Sequence, residues 1–296
     1  MHKYISFSDE CKAMFGHKVY KLSLSSGCTC PNRDGTLGWG GCTFCSEGGS
    51  GEFASAFLPI EEQLAAARQR ISQKFPVKDG EENQYIAYFQ AFTNTYGDIH
   101  RLRELYQKTI SFPDIAGLSV GTRPDCLKPE TVSMLRNLNT QKPVWIELGL
   151  QTIHEETARR IHRGYPLITF SDAYQRLKQA GIRVVVHVIL GLPGESREDM
   201  LQTVRYLSEL NPTLDGIKLQ LLHILKGTAM AEEYLSDPFP LLTMEEYIAL
   251  IKECLALLPE KTVIHRLTGD GPKKLLIAPL WSADKKRVLN ALLKEI

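Results

Sequence analysis

Short apolar segments alternate with helical segments along most of the chain, and this order constrains the fold more than any other feature of the sequence. Strands are predicted at 19–25, 85–92, 115–120, 144–150, 182–190 and 214–222. Amphipathic helices are predicted between them, at 60–75, 100–110, 129–138, 155–162, 170–180 and 196–210. Strands that are separated by helices pair in parallel through right-handed crossovers. The sequence therefore predicts an α/β protein with a six-stranded parallel sheet.

Polar and glycine-rich segments follow the predicted strands. In parallel sheets, ligands bind beyond the carboxyl ends of the strands. Five segments occupy such positions: a cysteine-rich loop, Thr93-Asn94-Thr95, Gly121-Thr122-Arg123, Gln151-Thr152 and residues 191–195. We expect one active site to gather all five.

The loop after the first strand carries three cysteines, Cys30, Cys42 and Cys45, in a C-x11-C-x2-C array. The glycines between them allow the loop to fold back, so that all three sulfurs reach one inorganic centre. Thiolates suit either zinc or an iron–sulfur cluster. Cys28 offers a fourth thiol, so the cysteine count alone does not decide between a closed zinc site and an open site.

The composition is that of a globular protein with few features that suggest a membrane. The 296 residues are 43% hydrophobic and 23% charged, and the net charge is +1. Four of the seven cysteines lie close together, which favours a metal site in a reducing compartment over disulfides. The N-terminus lacks a signal-peptide pattern, and the run at 184–192 is too short to span a bilayer. We expect a cytoplasmic protein without membrane attachment.

The segment after the sixth strand is predicted to form a C-terminal extension. A loop at 227–240 is followed by a helix at 244–258, a strand-like segment at 262–267 and a terminal helix from Ser282. We therefore predict a barrel domain at 1–226 and an extension at 227–296. Its basic residues are candidates for RNA contacts or for a solvated helix face: Lys273, Lys274, Lys285, Lys286 and Arg287. His265 and Arg266 are predicted either to contact an anionic substrate or to brace the extension.

The cysteine loop resembles a known family. Residues 30–36 (CPNRDGT) followed by 40–45 (GGCTFC) resemble the radical S-adenosylmethionine (radical SAM) superfamily, in particular its Elongator-protein-3-like branch. More narrowly, they resemble a bacterial family of short members without an acetyltransferase domain. Four further segments match that family, at 121–126, 147–151, 265–270 and 276–281.

The resemblance implies a partial, six-stranded TIM-like (β/α) barrel with a C-terminal α/β extension, and a pair of cofactors. Cys30, Cys42 and Cys45 are implied to ligate three irons of a [4Fe–4S] cluster, whose fourth iron binds the amino and carboxylate groups of SAM. Reduction of the cluster by a flavodoxin- or ferredoxin-type donor then cleaves SAM to a 5′-deoxyadenosyl radical, which abstracts a hydrogen atom from the substrate.

Further residues are candidates for contacts with SAM or substrate. The implied SAM-binding residues are Thr93, Asn94, Thr122, Gln151, Arg163 and His187. His187 also fits a hydrogen-bonded core position, because it lies within an apolar strand. Cys126 is a candidate for thiol chemistry on the substrate, with packing as the alternative.

The resemblance implies transfer RNA as the substrate, with modification of the carbon-5 side chain of the wobble uridine. Conversion of a carboxymethylaminomethyl group to an aminomethyl group is the specific prediction. Two alternatives remain open on the sequence: a radical SAM enzyme that acts on a small metabolite or a tetrapyrrole, and a zinc-bound nucleic-acid module without catalysis.

Overall fold

The computed structural model describes residues 4–49, 51, 54, 56–75, 83–269 and 271–296. The described strands are β1 Ile5–Ser6, β2 Val19–Leu24, β3 Gln84–Phe89, β4 Ile115–Thr122, β5 Val144–Gln151, β6 Arg183–Leu190, β7 Gly216–Leu221, β8 Ile224–Leu225, β9 Val263–Arg266 and β10 Leu276–Ala278. The described α-helices are α1 Phe7–Phe15, α2 Ile60–Lys74, α3 Ile99–Ser111, α4 Pro129–Asn139, α5 Glu155–Arg160, α6 Leu167–Gln179, α7 Arg197–Ser208, α8 Ala229–Ser236, α9 Met244–Leu257 and α10 Lys285–Glu295. None of these helices combines the length and the apolar composition that crossing a membrane requires.

One parallel sheet organises the molecule, in the strand order β2-β3-β4-β5-β6-β7-β9-β1. The predicted partial barrel is confirmed, and the six predicted strands are all present. The sheet nevertheless contains eight strands in the described part of the chain, because two further strands extend it beyond β7. The strand-like segment at 262–267 provides β9, and Ile5 of β1 pairs with Val263 of β9. With only two residues, β1 is too short to show a sequence pattern.

The extension differs from the prediction between residues 227 and 240. This segment was predicted as a loop, but it contains α8, which Thr228 caps by accepting a hydrogen bond from the backbone N–H of Ala231. Met230 and Ala231 of this helix are buried. The helix has only eight residues, so its apolar face is too short to give a clear periodic signal. The strand β9 lies after residue 227 but belongs to the barrel sheet. The predicted domain boundary at 226/227 therefore separates strands that belong to one sheet.

The inward-facing side chains of the sheet form layers, since alternate residues of a strand point to the same face. At the amino ends, an apolar layer that includes Val19, Ile86, Trp145 and Val185 packs against α1. Two residues further along the same strands lies a polar layer that consists of Lys21, Tyr88, Glu147 and His187, joined by Ser119 and Lys218. The polar layer separates the apolar base of the barrel from the cavity at the carboxyl ends.

Candidate active site

A cavity of about 220 Å³ lies at the carboxyl ends of the strands. The polar layer forms its floor, and the cysteine loop after β2 forms one wall. Eight of the residues that the sequence predicted for the site line this cavity together: Cys30, Cys42, Cys45, Thr93, Thr122, Gln151, Arg163 and His187. The predicted convergence is therefore observed for four of the five strand-end segments, whereas residues 191–195 do not line this cavity.

Side chains of the cysteine loop fix its path over the barrel. Asn32 donates a hydrogen bond through its side-chain amide to the carbonyl of His162, beyond β5. Arg33 donates to the carbonyls of Cys45 and Ser46 within the loop. Gly41 has a φ of 92°, and a Cβ on it would lie 2.8 Å from Nε of Arg33, so only glycine allows this close approach. The CPNRDG and GGC motifs therefore build the wall that carries the thiols.

The three cysteines fit a polynuclear iron–sulfur centre by their chemistry and position. Burial raises the pKa of the Cys42 thiol to about 12, and the neighbouring Cys45 adds to the shift. A thiol with this pKa becomes a thiolate ligand only when a cation compensates its charge. In the described ranges, no three Cys, His, Asp or Glu side chains are arranged to hold a single metal ion. The three thiols nevertheless line one cavity, as the ligands of a multi-iron cluster do.

Gln151, the last residue of β5, has two unusual features that fit a ligand contact. Its φ is 69°, a left-handed conformation that costs a non-glycine residue about 1–3 kcal/mol. Its side-chain oxygen Oε1 is buried and has no hydrogen-bond partner. A buried acceptor of this kind requires a donor, and the amino or hydroxyl groups of SAM are suitable donors. The residues present therefore fit the second cofactor as well as the first.

Two buried arginines shape the wall of the cavity beside the cysteine loop. Arg163 donates through Nε to the carbonyl of Tyr165 at 2.9 Å and through Nη1 to the carbonyl of Thr152 at 2.6 Å. Arg123 forms a paired contact with the carboxylate of Asp125 and donates to the carbonyl of Arg163 at 2.9 Å. These bonds hold the segments after β4 and β5 in place. The predicted contact of Arg163 with SAM stays a prediction.

The floor of the cavity is an ionic cluster centred on the buried carboxylate of Glu147. Nζ of Lys21 lies 2.6 Å from Oε1, and Nε2 of His187 lies 2.9 Å from Oε2, which also binds the ammonium group of Lys218. Lys218 in addition donates to the hydroxyl of Tyr88 at 3.1 Å. Burial alone would raise the pKa of Glu147, but the two lysines hold it well below its usual range.

The same cluster shifts its basic members towards their neutral forms. Burial lowers the pKa of His187 to about 4, and the positive charge of Lys218 lowers it further. Burial also lowers the pKa of Lys218. The attraction of Glu147 opposes this shift, and the repulsion of Lys21 adds to it. His187 is therefore a hydrogen-bonded core residue that also lines the cavity, and its contact with SAM stays a prediction. Sequence reasoning missed Lys21, Tyr88 and Lys218, although a charged residue within an apolar strand was a usable signal.

Three candidate residues lie outside the cavity. The side-chain amide of Asn94 donates to the carbonyls of Phe89 at 3.0 Å and Gly121 at 2.9 Å, so it joins β3 to β4. Cys126 is buried beside the carboxylate of Asp125, and burial, followed by that carboxylate, raises the pKa of its thiol. Sγ of Cys28 accepts a hydrogen bond from Arg101 at 3.3 Å. These three side chains therefore do not line the cavity that contains the loop cysteines.

The basic residues of the extension divide into two groups. Lys273, Lys274, Lys286 and Arg287 are exposed, whereas Lys285 is partly buried. Burial lowers the pKa of Lys285 to about 8, and the nearby charge of Arg266 lowers it further. Contact of these residues with RNA stays a prediction.

The motif at 265–270 contributes to both the packing and the cavity. The side chain of His265 is buried against the ring of Phe7, with ring centres 4.5 Å apart, so it braces the N-terminal helix. Arg266 lines the cavity. Asp270 lies outside the described residues.

A partial parallel barrel whose first loop brings three cysteines to the carboxyl ends of the strands defines a class, the radical SAM enzymes. Comparison of the chain with models of protein families gives the same class. A model described as the radical SAM superfamily matches residues 27–207, and one described as the radical SAM C-terminal domain matches residues 214–296. The chain belongs to the radical SAM superfamily, whose members use a [4Fe–4S] cluster and SAM.

Individual proteins show more narrowly what the chain is similar to. The uncharacterized protein YtqA of Bacillus subtilis is 42% identical over 99% of this chain and 89% of its own length. Mouse Elongator complex protein 3 is 27% identical over 69% of this chain and 36% of its own length. The solved structure of Elp3 from the archaeon Methanocaldococcus infernus superimposes with a TM-score of 0.65 at 20% identity, over 79% of this chain and 58% of that one. The chain is thus similar to Elongator protein 3 in its barrel.

Proposed function

We propose that this radical SAM enzyme modifies the carbon-5 side chain of the wobble uridine of tRNA, and that it converts a carboxymethylaminomethyl group to an aminomethyl group. The observation that carries the proposal is the likeness to Elongator complex protein 3, which covers 69% of this chain. The motif resemblance of the cysteine loop points to the same branch, in which the implied substrate is the wobble uridine.

The residues that would hold the cofactors are those that line the cavity. Cys30, Cys42 and Cys45 would bind the cluster, and Gln151 would bind a polar group of SAM. When bound and reduced by a flavodoxin- or ferredoxin-type donor, the cluster and SAM supply a hydrogen-abstracting agent. The protein would contribute a cavity that orients the substrate above the floor formed by Glu147 and its partners.

An exposed aromatic residue near the cysteines supports a nucleic-acid substrate. Trp39 lies in the loop between Cys30 and Cys42, and 80% of its surface is exposed. Leu37 in the same loop is 55% exposed. Proteins bind unpaired bases, such as those of an anticodon loop, by stacking them on aromatic side chains. We therefore propose that an anticodon base stacks on Trp39 while the neighbouring uridine enters the cavity.

The test compares modified nucleosides in total tRNA from cells with and without the gene. We expect cells without it to accumulate the carboxymethylaminomethyl nucleoside and to lose the aminomethyl form. A plasmid that encodes the Cys42→Ala variant should fail to restore the profile, whereas Cys28→Ala, altered outside the cavity, should restore it. An unchanged tRNA profile, with SAM cleavage intact in the purified enzyme, would contradict the proposal and favour a small metabolite or a tetrapyrrole as substrate.

A further inference from the structure

Asn32 lies behind the wall that carries the three thiols. It belongs to the CPNRDG motif, is 5% exposed, and does not itself line the cavity. Its side-chain nitrogen Nδ2 lies 3.6 Å from Sγ of Cys42. Sulfur is a larger acceptor than oxygen, so this separation is within the range of an N–H···S hydrogen bond. Asn32 therefore contacts the sulfur of an implied iron ligand without reaching the cavity.

The neighbours of this side-chain amide fix its orientation. Nδ2 also faces the carbonyl of His162 and, at 3.5 Å, the carbonyl of Arg163. Carbonyl oxygens only accept hydrogen bonds, so the nitrogen of the amide, and not its oxygen, points towards them. The carbonyl of Arg163 already accepts a shorter bond of 2.9 Å from Nη1 of Arg123. One N–H of Asn32 is therefore directed to His162, which leaves the other for Cys42.

The local backbone is built around the same amide. His162 has a φ of 53°, a left-handed conformation that is unfavourable for a non-glycine residue. Gly164 has a φ of 81°, and a Cβ on it would lie 2.6 Å from Oδ1 of Asn32. The carbonyl of Asn32 accepts a hydrogen bond of 2.8 Å from the N–H of Gly41, which precedes Cys42. A strained residue and an approach that only glycine allows thus hold the amide against the sulfur.

The contact favours negative charge on the sulfur. Burial raises the pKa of the Cys42 thiol, and both the charge of Arg123 and the hydrogen bond from Asn32 oppose that shift. The guanidinium of Arg123 is paired with the carboxylate of Asp125, which compensates part of its charge. Among the described residues, Asn32 is the one that donates a hydrogen bond to this sulfur.

We propose that the side-chain amide of Asn32 sets the reduction potential of the iron–sulfur cluster by donating a hydrogen bond to Sγ of Cys42. Hydrogen bonds to the ligand sulfurs are among the factors that determine the potential of such clusters. A reduced cluster carries one more negative charge than an oxidised one, so the N–H donor stabilises the reduced form more. Asn32 is a positioning residue, because it acts through Cys42. The inference does not depend on the identity of the substrate.

The first test measures the reduction potential of the reconstituted cluster, without SAM, by a redox titration that is followed by electron paramagnetic resonance (EPR). Asn32→Leu removes the donor at similar volume. It should lower the equilibrium constant for one-electron reduction about 10-fold, which is a fall of about 59 mV in potential. The matched control Asn137→Leu, at an exposed position on α4, should leave this constant within about 2-fold of the wild type.

The second test detects the contact in the unaltered protein. Asparagine side-chain amides are labelled with the heavy isotope of nitrogen, and pulsed EPR of the reduced cluster measures its coupling to that isotope. We expect a coupling in the wild type that Asn137→Leu retains and Asn32→Leu lacks. Iron content and circular dichroism show whether each variant is folded and loaded. The wild-type measurement decides whether the contact exists even if Asn32→Leu loses its cluster.

The choice of reductant separates an electronic role from a structural one. Excess titanium(III) citrate reduces the cluster fully, so Asn32→Leu should then cleave SAM at least as fast as the wild type. With reduced methyl viologen, a weaker donor, cleavage should fall by up to about 10-fold, because the reduced fraction falls with the potential.

Three results would overturn the inference. The first is the absence of nitrogen coupling in the wild type. The second is an equilibrium constant for reduction of iron-loaded Asn32→Leu that lies within about 2-fold of the wild type. The third is an equal loss of SAM cleavage with both reductants, which would give Asn32 a purely structural role. None of these measurements uses RNA, so the proposed function stands or falls separately.

Discussion

Replacing Glu147 by glutamine would leave the ammonium groups of Lys21 and Lys218 at the floor of the cavity without their shared carboxylate. Glu147 is about 1% exposed and contacts Lys21, Ser119 and His187 at 2.6, 3.0 and 2.9 Å, in addition to Lys218. Removing one partner from a buried ion pair costs about 3–5 kcal/mol, because an uncompensated charge stays buried. That loss is a large part of the 5–15 kcal/mol by which domains are typically stable.

The measurement is the free energy of unfolding from urea titrations of Glu147→Gln and of the matched control Glu104→Gln, at about pH 6 and about pH 9. Glu104 is exposed on α3, so its variant should differ from the wild type by less than about 0.5 kcal/mol. The pKa of Lys218 is lowered to about 7 by burial, so much of its charge is lost by pH 9. The cost of Glu147→Gln should therefore be largest at pH 6 and smaller at pH 9. Equal unfolding free energies for the two variants at pH 6 would refute a charged cluster at the floor.

The pH dependence of the wild type has the opposite sign in the acid range. Because the pKa of Glu147 is held well below its usual value of 4.5, its contribution is complete above that value and is lost as the pH falls towards the lowered pKa. Acid unfolding of the wild type should accordingly be steeper than that of Glu147→Gln below about pH 4.5. Parallel acid transitions would contradict this assignment.

Three further predictions concern the cofactors and RNA. Cys42→Ala should abolish the brown colour and the iron content of anaerobically purified protein, whereas Cys28→Ala should retain about four irons. Loss of iron from both variants would mean that Cys28 is a ligand. Gln151→Ala should weaken SAM binding by about 10-fold, measured by equilibrium titration, and an unchanged affinity would remove Gln151 from the site. Replacing Lys286 and Arg287 with alanine should reduce the slope of log binding constant against log salt concentration for tRNA by about 0.7–0.9 per lost phosphate contact. An unchanged slope would mean that RNA binds to another face.

The strand order was largely predictable because β2 to β7 are each long enough to show an apolar run, and each of the connecting segments contains a helix. The two strands that extend the sheet were harder to find. β1 has two residues and pairs only with a strand from the other end of the chain. The segment of β9 was identified as strand-like, but its position in the barrel sheet depends on tertiary packing that no local pattern encodes.

The candidate site was predictable where it lies in loops and hidden where it lies in strands. Cys30 and Cys42 follow β2, and Gln151 is the last residue of β5, so their convergence follows from the parallel sheet alone. The pairing of Glu147 with Lys218 joins residues on β5 and β7 that are 71 positions apart. A buried charge in an apolar strand indicates that a partner exists, but the register of three strands decides which residue it is.

The pairing of β1 with β9 has a consequence for the order in which the molecule is assembled during synthesis. Strands β2 to β6 each pair with the strand that comes next in the sequence, so this part of the sheet can grow as the chain leaves the ribosome. β1 must wait until β9 emerges, and Arg266 emerges with β9. Translation adds about 5–20 residues per second, so several seconds separate β7 from β9. The cysteine loop is therefore present before Arg266 joins the cavity, and a nascent chain can present its cysteines for metal loading while its final sheet edge is still open.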